Sequence, residues 1–506
     1  MLLPFQEPVR SRQDELIFDA LVRYDHWTRL ADKTIDWLAL RRSIEPWFKQ
    51  SGRPALEPVL FLKMEFLMFH DGLSDSQLFQ RCQTDMAYRR FLGLGLNQAL
   101  PEVSTLRKFR GRIGADGHRQ VFHALLEQAR GLGLVKDRLR IKDATHVLAN
   151  IAIPAGLQLV AQARNKLLLA ATRFDAEQVA GERVRIETIR ISTDDSGNEA
   201  RLVARVEHLR DILAWVEELK PLPNAETNSV WQALQEAIQI ARKVLQGHDD
   251  PKAPKKIRSV VDPDARRGRH GEFFDGYVVD AMIDGDSELF TAINVYAAGE
   301  SESADTLVLV EQERSAHGNQ IEQLSIDGAG QDGAMIRDLE SPAYGSIKVF
   351  VPPRNLTNGD KFTADDFALS TDGSSVTCPA GHQSSTKQEL PDRHTTSYKF
   401  VDSTCRDCPL RLNCVNGNQK NGRTVKKSDY EAEHKRMQER AQTDAYREVK
   451  KEHPKVERRL GELINRHGGR RARYRGLERV SVQQIIGASV ANLKRMLRLT
   501  EVNFVV

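Results

Sequence analysis

Residues 137–153 read DRLRIKDATHVLANIAI, and this stretch decides how the middle of the chain is interpreted. The hydrophobic period changes at residue 137, and apolar residues flank a segment typical of a β-strand. Asp143 lies near the middle of this strand, where a rigid backbone would hold its carboxylate in place. His146 follows three residues later, on the opposite face of the strand. A packed or hydrogen-bonded histidine is therefore favoured over a metal ligand at that position.

The residues downstream alternate between extended and helical patterns. Residues 257–298 predict two strands joined by a polar turn at Asp284-Gly285-Asp286, which is a β-hairpin. The next elements are a helix at about 303–316, a strand IEQLSID that ends at Asp327, a helix at 331–340 and a strand SIKVFV. From about residue 430 the pattern is helical to near the end of the chain.

Two segments interrupt this succession. Residues 155–247 have helical periodicity and are interpreted as a helical insertion, whereas residues 353–428 are rich in loops. Without them the order is strand, hairpin, helix, strand, helix, strand and helix. That order predicts an α/β protein with a mixed sheet covered by helices on both faces. It is compatible with the ribonuclease-H-like fold, although the order alone does not single out that fold.

The first 135 residues predict a helical domain. Ser74 or Asp75 can cap a helix there, and Ser104 is expected to cap a short helix within STLRKFRGRIG. Two short helices joined by a turn, with basic residues on the second, suit a helix-turn-helix DNA-binding module. A charged, solvated face of a small bundle is the alternative. The basic residues concerned are Arg107, Lys108, Arg110 and Arg112.

Composition restricts the class of protein. The 506 residues are 40% hydrophobic and 28% charged, which is typical of a soluble globular protein with two to four domains. No run approaches the length of a membrane span and no secretory signal is evident, so we expect a cytoplasmic protein without a membrane partner. The net charge is only +4. However, residues 447–475 contain eleven Lys or Arg against four Glu, which indicates either a phosphate-binding surface or a solvated helix face.

Four of the five cysteines lie close together in the loop-rich segment, with the spacing C-x3-H-x22-C-x2-C-x5-C. In a cytosolic chain such clustering favours a metal over disulfides, and a C-x2-C pair suits one tetrahedral Zn²⁺. The predicted ligands of this structural zinc site are Cys378, Cys405, Cys408 and Cys414, and His382 can substitute for any one of them. Reduced free thiols are the alternative. Cys82 is expected to be a buried structural thiol.

Several segments resemble insertion-sequence transposases of the DDE type, from bacteria. LRIKDATHVLAN is similar to their first-aspartate strand, with its Asp-Ala-Thr-His motif, and LSIDGAGQDG to their second-aspartate turn. The segment from Tyr446 to Leu497 resembles their glutamate region, which follows a cysteine-bearing insertion. STLRKFRGRIG and SVVDPDARRGRHGEFFDGYVVD also match, so the resemblance covers about residues 40 to 500. It implies that Asp143, Asp327 and Glu457 form the catalytic metal site.

The chain departs from the family pattern at three places. His453 stands where the family usually has arginine, four residues before the glutamate. Ile464 stands where a lysine is common, and Lys450, Lys451 or Arg458 could supply that charge instead. The second-aspartate turn reads Gly-Ala-Gly rather than Lys-Gly-Tyr, which leaves Asp332 as a competitor of Asp327.

The resemblance implies a division of the chain and a function. The first domain would be a helical DNA-binding domain of residues 1–135. The ribonuclease-H-like core would consist of residues 136–154 and 256–352, and its helical end would be residues 430–506. Two insertions would interrupt this core, a helical one of residues 155–255 and a cysteine-rich one of residues 353–429. The protein would bind terminal inverted repeats and target DNA near the nucleoid, as a homodimer or larger assembly. It would cleave and join DNA with two Mg²⁺ ions, or Mn²⁺ in their place. Backbone contacts are expected from Arg470, Arg471, Arg473 and Arg475. The alternatives are a metal-dependent nuclease without strand transfer and an inactive DNA-binding regulator.

Overall fold

A computed structural model describes residues 1–222, 224–225, 228–253, 255–328, 331–354, 359–416, 419 and 421–503. Its N-terminal part is helical, as expected from the sequence. The helices are α1 (Arg12–Leu21), α2 (Trp27–Thr34), α3 (Trp37–Ser43), α4 (Pro58–His70), α5 (Asp75–Thr84), α6 (Met86–Phe91) and α7 (Val103–Gly131). Ser74 caps α5 through a capping box with Gln77, which confirms the first of the two predicted caps.

The basic segment around Arg107 differs from its prediction. It lies on α7, which has 29 residues, rather than on a short helix. Glu102, not Ser104, precedes the first helical residue, and the Ser104 hydroxyl donates to Glu102. The helix is kinked at Gly114, whose φ of 56° is one that glycine adopts readily. The sequence pattern indicated a break near this glycine but not the continuation beyond it.

The central sheet is mixed and has six strands. They are β1 (Arg140–Leu148), β2 (Arg266–His270), β3 (Glu272–Asp284), β4 (Phe290–Ala297), β5 (Gln323–Ser325) and β6 (Lys348–Phe350). The order is β2-β3-β1-β5-β6, and β4 pairs with β3. β1 is antiparallel to β3 and parallel to β5. The predicted first strand and hairpin are therefore confirmed, whereas β2 was missed and β5 ends earlier than expected.

Helices cover both faces of this sheet. One face of β1 packs through Leu139, Ile141 and Val147 against apolar residues of two C-terminal helices. These are α18 (Pro454–Arg466) and α19 (Leu477–Asn503). The other face of the sheet is covered by α12 (Glu302–His317) and α13 (Gly333–Glu340). The mixed α/β prediction is thus confirmed at the level of class and layering.

The predicted helical insertion consists of four helices with their own hydrophobic core. They are α8 (Gly156–Ala171), α9 (Ala176–Ser192), α10 (Asn198–Glu217) and α11 (Ser229–Asp249). The apolar periodicity of this block is sufficient to explain its fold, because its buried residues recur at helical spacing.

The segment after β6 contains more regular structure than its loop-rich sequence indicated. One three-stranded sheet comprises β7 (Ala368–Leu369), β8 (Val376–Thr377) and β9 (Gln383–Ser384), and a second comprises β10 (Lys387–Leu390), β11 (Thr395–Lys399) and β12 (Thr424–Ser428). Two short helices, α14 (Asp402–Arg406) and α15 (Arg411–Cys414), lie between them in sequence. The chain continues through α16 (Glu431–Ala441) and α17 (Asp444–Glu452).

The last helix joins the two ends of the chain. Val482, Ile486 and Val490 on α19 belong to the core of the N-terminal helices, whereas Ile485 and Ala488 pack beneath the sheet. α19 therefore contributes to both hydrophobic cores. No helix within the described residues combines the length and the apolar character needed to span a membrane.

Candidate active site

Three predicted carboxylates converge on one region of the central sheet. Asp143 lies in the middle of β1, and Asp327 lies two residues beyond the end of the neighbouring parallel strand β5. Glu457 lies in the first turn of α18, beside the buried Val456 and Leu460 that pack under the sheet. Residues separated by 184 and 130 positions are thus held by three adjacent elements.

The electrostatics of Asp143 reflect this convergence. Burial raises the pKa of Asp143 to about 6, and the nearby negative charges of Asp327 and Glu457 raise it further. The backbone N–H of Ala144 donates to its Oδ1 at 2.8 Å and opposes the shift. Within the described part of the chain, Asp143 forms no ion pair. Its carboxylate is therefore costly to ionise unless a cation is added.

Lys450 is a basic residue beside the carboxylate cluster. Its Nζ donates to the carbonyl oxygen of Ile326 at 2.8 Å, directly before Asp327. Burial lowers the pKa of Lys450 to about 8, although Asp327 and Asp143 act in the opposite direction. The other two cations considered from the sequence have different partners, since Lys451 pairs with Glu448 and Arg458 with Glu288.

His453 lies four residues before Glu457, and it is buried. Its Nδ1 lies 3.0 Å from the Ser325 hydroxyl on β5. Burial lowers the pKa of His453 to about 4, and Lys450 lowers it further. A neutral histidine therefore connects the segment that carries Glu457 to the strand that leads to Asp327.

Asp332, the competitor of Asp327, has a different position and partner. It is the N-cap of α13, and its Oδ1 accepts from the backbone N–H of Met335 at 3.0 Å. An aspartate at this position stabilises the start of a helix. Asp327, in contrast, acts electrostatically on Asp143, Lys450 and His453.

The basic residues predicted on the N-terminal helix divide into two groups. Arg110 is buried and paired with Glu65 at 2.9 Å and with Asp75 at 3.3 Å. Arg107, Lys108 and Arg112 are exposed, although Arg107 also pairs with Asp75. The charge of Arg110 is therefore balanced inside the protein, and the other three side chains reach solvent.

The arginines after α18 divide in the same way. Arg470 donates to the carbonyl oxygen of His146 at 2.6 Å, and Arg473 donates to that of Leu73 at 2.6 Å, so both hold neighbouring segments together. Arg471 and Arg475 are exposed. A bridge between Arg471 and Leu148 places this loop beside the end of β1.

The four clustered cysteines line one small cavity of about 20 Å³, together with His382 and several neighbours. A tight turn follows the first cysteine, in which the N–H of Cys378 donates to the carbonyl oxygen of His382. The N–H of Arg423 lies 3.5 Å from the Cys405 sulfur. Burial raises the pKa of Cys414, and the other three thiols add to the shift. Cys82 is completely buried elsewhere, as predicted.

Among the described residues, no three His, Cys, Asp or Glu side chains form a group already arranged for a metal. The thiols nevertheless share one cavity and the carboxylates share one electrostatic environment. Binding an ion at either place would therefore require side chains to move together.

Two features of the region were not identified from the sequence. The sequence did not indicate which lysine would contact the end of β5, because Lys450, Lys451 and Lys455 all lie in one basic stretch. Strand β2, with the sequence RRGRH, was also missed. It lies directly before the predicted strand β3. The Gly271 between them, with a φ of 69°, is the signal that could have indicated a tight hairpin.

Two protein-family models match parts of the chain. Residues 377–497 match the family model described as Transposase DDE domain, and residues 16–112 match Transposase domain (DUF772). The first match contains the four clustered cysteines and Glu457, and the second contains the basic part of α7. A comparison with curated proteins finds no match. The two family matches support an insertion-sequence transposase, with DNA as the partner that such families imply.

Proposed function

We propose that this protein binds the ends of a mobile DNA element, cleaves them and joins them to target DNA. The observation that carries the proposal is the convergence of Asp143, Asp327 and Glu457 on one region of the central mixed sheet. The transposase family matches at both ends of the chain support it independently. We further propose that the six-stranded sheet is of the ribonuclease-H-like type.

The residues fit a divalent metal by their chemistry. Carboxylate oxygens are the ligands that Mg²⁺ prefers, and Mn²⁺ can use the same oxygens. The raised pKa of Asp143 indicates a local excess of negative charge that a cation would balance. Asp143, Asp327 and Glu457 would hold the metal. Two bound Mg²⁺ ions would supply an activated nucleophile and stabilise the leaving oxygen.

The chain's own residues would prepare this site. β1 and the end of β5 orient Asp143 and Asp327, while the packing of Val456 and Leu460 fixes the first turn of α18. Lys450 would hold the backbone beside Asp327 through the Ile326 carbonyl. His453 remains neutral and keeps its contact with Ser325 over the working pH range.

The test is incubation of the protein with duplex DNA from the element ends and Mg²⁺. Asp327→Asn should abolish cleavage, whereas Asp332→Asn is the matched control that removes a carboxylate but keeps a cap of equal quality. Cleavage plus joining supports a transposase. Cleavage without joining supports the nuclease, and binding without metal-dependent cleavage supports the inactive regulator. Full activity of Asp327→Asn would refute the assigned site.

DNA contacts are proposed for the predicted arginines and lysine that reach solvent. These are Arg107, Lys108 and Arg112 on α7, and Arg471 and Arg475 beside the end of β1. Arg110, Arg470 and Arg473 are instead proposed to support these surfaces from within, because their guanidinium groups are engaged by protein partners. Assembly as at least a dimer is proposed because two element ends must be processed together.

We also propose a structural Zn²⁺ held by Cys378, Cys405, Cys408 and Cys414. The shared cavity and the N–H group directed at the Cys405 sulfur support it, since thiolate ligands are commonly stabilised by such hydrogen bonds. His382 also lines the cavity but is exposed. The metal would stabilise a segment with few apolar residues.

Elemental analysis of the purified protein tests this assignment. The expected result is one zinc per chain, which Cys405→Ser reduces strongly. Cys82→Ala is the matched control, since that cysteine is buried far from the cluster in sequence and should leave the zinc content unchanged. A wild-type protein without zinc, purified under reducing conditions, would contradict the proposal.

A further inference from the structure

Strands β2 and β3 form a two-stranded ribbon that continues beyond the central sheet. Residues 272–276 of β3 pair with β2, and the pairing of β3 with β1 begins only at Gly276. β2 is the outer strand of the sheet. Gly271 makes the tight connection between the two strands.

One face of the ribbon is continuous with the face of the sheet that carries Asp143. Asp143 pairs with Ala281, and Phe273 lies eight residues from Ala281 on the same strand. Residues an even number apart point to the same side of a strand. Arg269 is opposite Phe273 and Arg267 is opposite Asp275, and directly opposed residues share a face.

The residues on the opposite face of the ribbon have different surroundings, which agrees with this alternation of side chains. Phe274 is buried and its ring centroid lies 4.9 Å from that of His146. His146 is on the face of β1 away from Asp143. Glu272, the exposed acid of the ribbon, lies on this second face as well. The acidic residue is therefore turned away from the face that carries Phe273.

The first face presents positive charge and one exposed aromatic ring. Phe273 is 67% exposed, and the guanidinium groups of Arg267 and Arg269 lie 5.4 and 5.7 Å from its centroid. Asp275 on this face is almost completely buried and paired with Arg258 at 2.5 Å. A second and longer ion pair, of 3.8 Å, joins Asp275 to Arg267, whose side chain remains 52% exposed.

A second basic element lies at the base of the ribbon. The end of β1 pairs with Gly276 on one side and is bridged to Arg471. Arg475 donates to the carbonyl oxygen of Asn150, just beyond this strand end. The exposed arginines of the loop and those of the ribbon therefore flank the same strand end.

Protection of an outer strand is the alternative explanation for the arginines. Charged residues on such strands prevent pairing with other chains. That explanation does not account for Phe273, because a large exposed apolar side chain would promote association rather than prevent it. Two cationic groups next to an aromatic ring suit a polyanion whose sugars and bases offer apolar surface.

We infer that this ribbon is a DNA-binding element that contacts the duplex beside the reaction site. The proposal deepens the proposed function and rests on it. A two-stranded ribbon fits the major groove of B-DNA, with Arg267 and Arg269 on phosphates and Phe273 against the sugars or bases. Eight residues of β3 span about 27 Å. A duplex whose axis lies along β3, at about 3.4 Å per base pair, would place this contact about eight base pairs from the phosphate at Asp143.

The experiment measures binding of a labelled element-end duplex by the full chain across a salt titration. The variant is Arg267→Ala combined with Arg269→Ala. Loss of two phosphate contacts should reduce the slope of log K against log salt by about two and weaken binding on the order of 10- to 100-fold at about 0.1 M salt. Phe273→Ala should weaken binding further without changing the slope.

The matched control is Arg185→Ala combined with Arg190→Ala, two exposed arginines of the helical insertion. Its affinity and slope should equal those of the wild type. Hydroxyl-radical footprinting locates the ribbon's contact on the DNA. The ribbon variants should lose protection about eight base pairs from the cleaved position.

The outcomes separate this inference from the proposed function. If the wild type cleaves DNA but the ribbon variants bind with unchanged affinity and slope, the ribbon is not a DNA contact and the transposase proposal stands. If the wild type binds without cleaving and the ribbon variants lose affinity, the ribbon assignment stands and the catalytic proposal fails. Absence of any DNA binding by the wild type overturns both. A change of oligomeric state in Phe273→Ala, with DNA affinity unchanged, would assign the ribbon to self-association instead.

Discussion

The two faces of strand β1 carry charged groups in opposite situations. On one face Arg140 is completely buried and paired with Glu313 at 2.6 Å and with Asp284 at 2.9 Å. On the other face Asp143 has no ion pair within the described residues, and its pKa is raised to about 6. A compensated buried charge belongs to the scaffold, whereas an uncompensated one invites a ligand. This difference is the basis for proposing a functional role for Asp143 and a structural role for Arg140.

The neighbouring pair refines this comparison. Lys142 lies 2.7 Å from Asp280, and both are buried on the Arg140 side. Burial raises the pKa of Asp280 well above its ordinary value, against the effect of Lys142. An acid with a raised pKa is therefore not sufficient to identify a reaction site. Asp143 differs in that two further carboxylates from distant segments act on it.

The largest effect is expected for Asp143→Asn. Cleavage of element-end DNA in Mg²⁺ should fall about 10³-fold or more, because stabilisation by a bound metal is worth several kcal/mol. The metal-free variant should be more stable than the wild type at neutral pH, by up to about 3 kcal/mol. Urea unfolding at several pH values measures this difference.

The sign of the pH dependence follows from the raised pKa of Asp143. The stability penalty of its ionised form is absent below the ordinary pKa of an aspartate and complete above about 6. The advantage of Asp143→Asn should therefore grow as the pH rises from about 4 to 6 and stay constant above that range. A constant difference across this range would show that Asp143 is not destabilised in the fold.

On the other face, Glu313→Gln should act on stability rather than on chemistry. Removal of the Glu313 charge leaves the buried Arg140 with Asp284 and Asp137 as its remaining acidic partners, and we expect a loss of up to about 3 kcal/mol in the free energy of unfolding. Cleavage by the folded fraction should continue. Arg138→Gln is the control, since its pair with Asp286 is exposed and should contribute less than about 1 kcal/mol.

A smaller effect is expected for Lys450→Met. Loss of the ammonium group near Asp143 makes that carboxylate harder to ionise, so the acidic limb of the pH–rate profile should move to higher pH, by about 0.5 to 1 unit. Lys451→Met removes an exposed lysine that pairs with Glu448 and should leave the profile in place. Equal shifts in the two variants would mean that general charge, not the position of Lys450, is responsible.

The smallest effect concerns Asp332. Asp332→Asn should change the free energy of unfolding by less than about 0.5 kcal/mol, and Asp332→Ala should lower it by about 1 kcal/mol, because only the second removes the cap of α13. Neither should change the cleavage rate of the folded protein. Loss of cleavage in Asp332→Asn, with stability retained, would reverse the assignment of the second carboxylate.

Much of the fold was predictable from local patterns. The strand around Asp143, the hairpin of β3 and β4 and the four helices of the insertion follow hydrophobic periods that are set by backbone geometry. Strand β2 was not predictable in this way. Its five residues include three arginines and one histidine, and its extended conformation depends on pairing with β3.

The role of individual charges was less predictable. Arg110 and Arg112 are two residues apart, yet Arg110 is buried against Glu65 and Arg112 is exposed over the ring of Phe48. Sequence spacing on a helix indicates which residues share a face but not what packs against that face. For the same reason, the pattern that suggested a helix-turn-helix did not indicate that α7 continues to Gly131.

The mixed α/β order and the cysteine cluster were predicted from the sequence by itself, because each depends on neighbouring residues. The transposase class and Asp143 as a candidate first carboxylate were predicted from motifs. Only the tertiary structure decided which basic residue lies beside Asp327, that Asp332 caps a helix, and that the Phe273 ribbon shares a face with Asp143. These relations depend on the register of strands and on the packing of distant segments. Such contacts are set by the free energy of the whole fold, and no local stretch of the chain contains them.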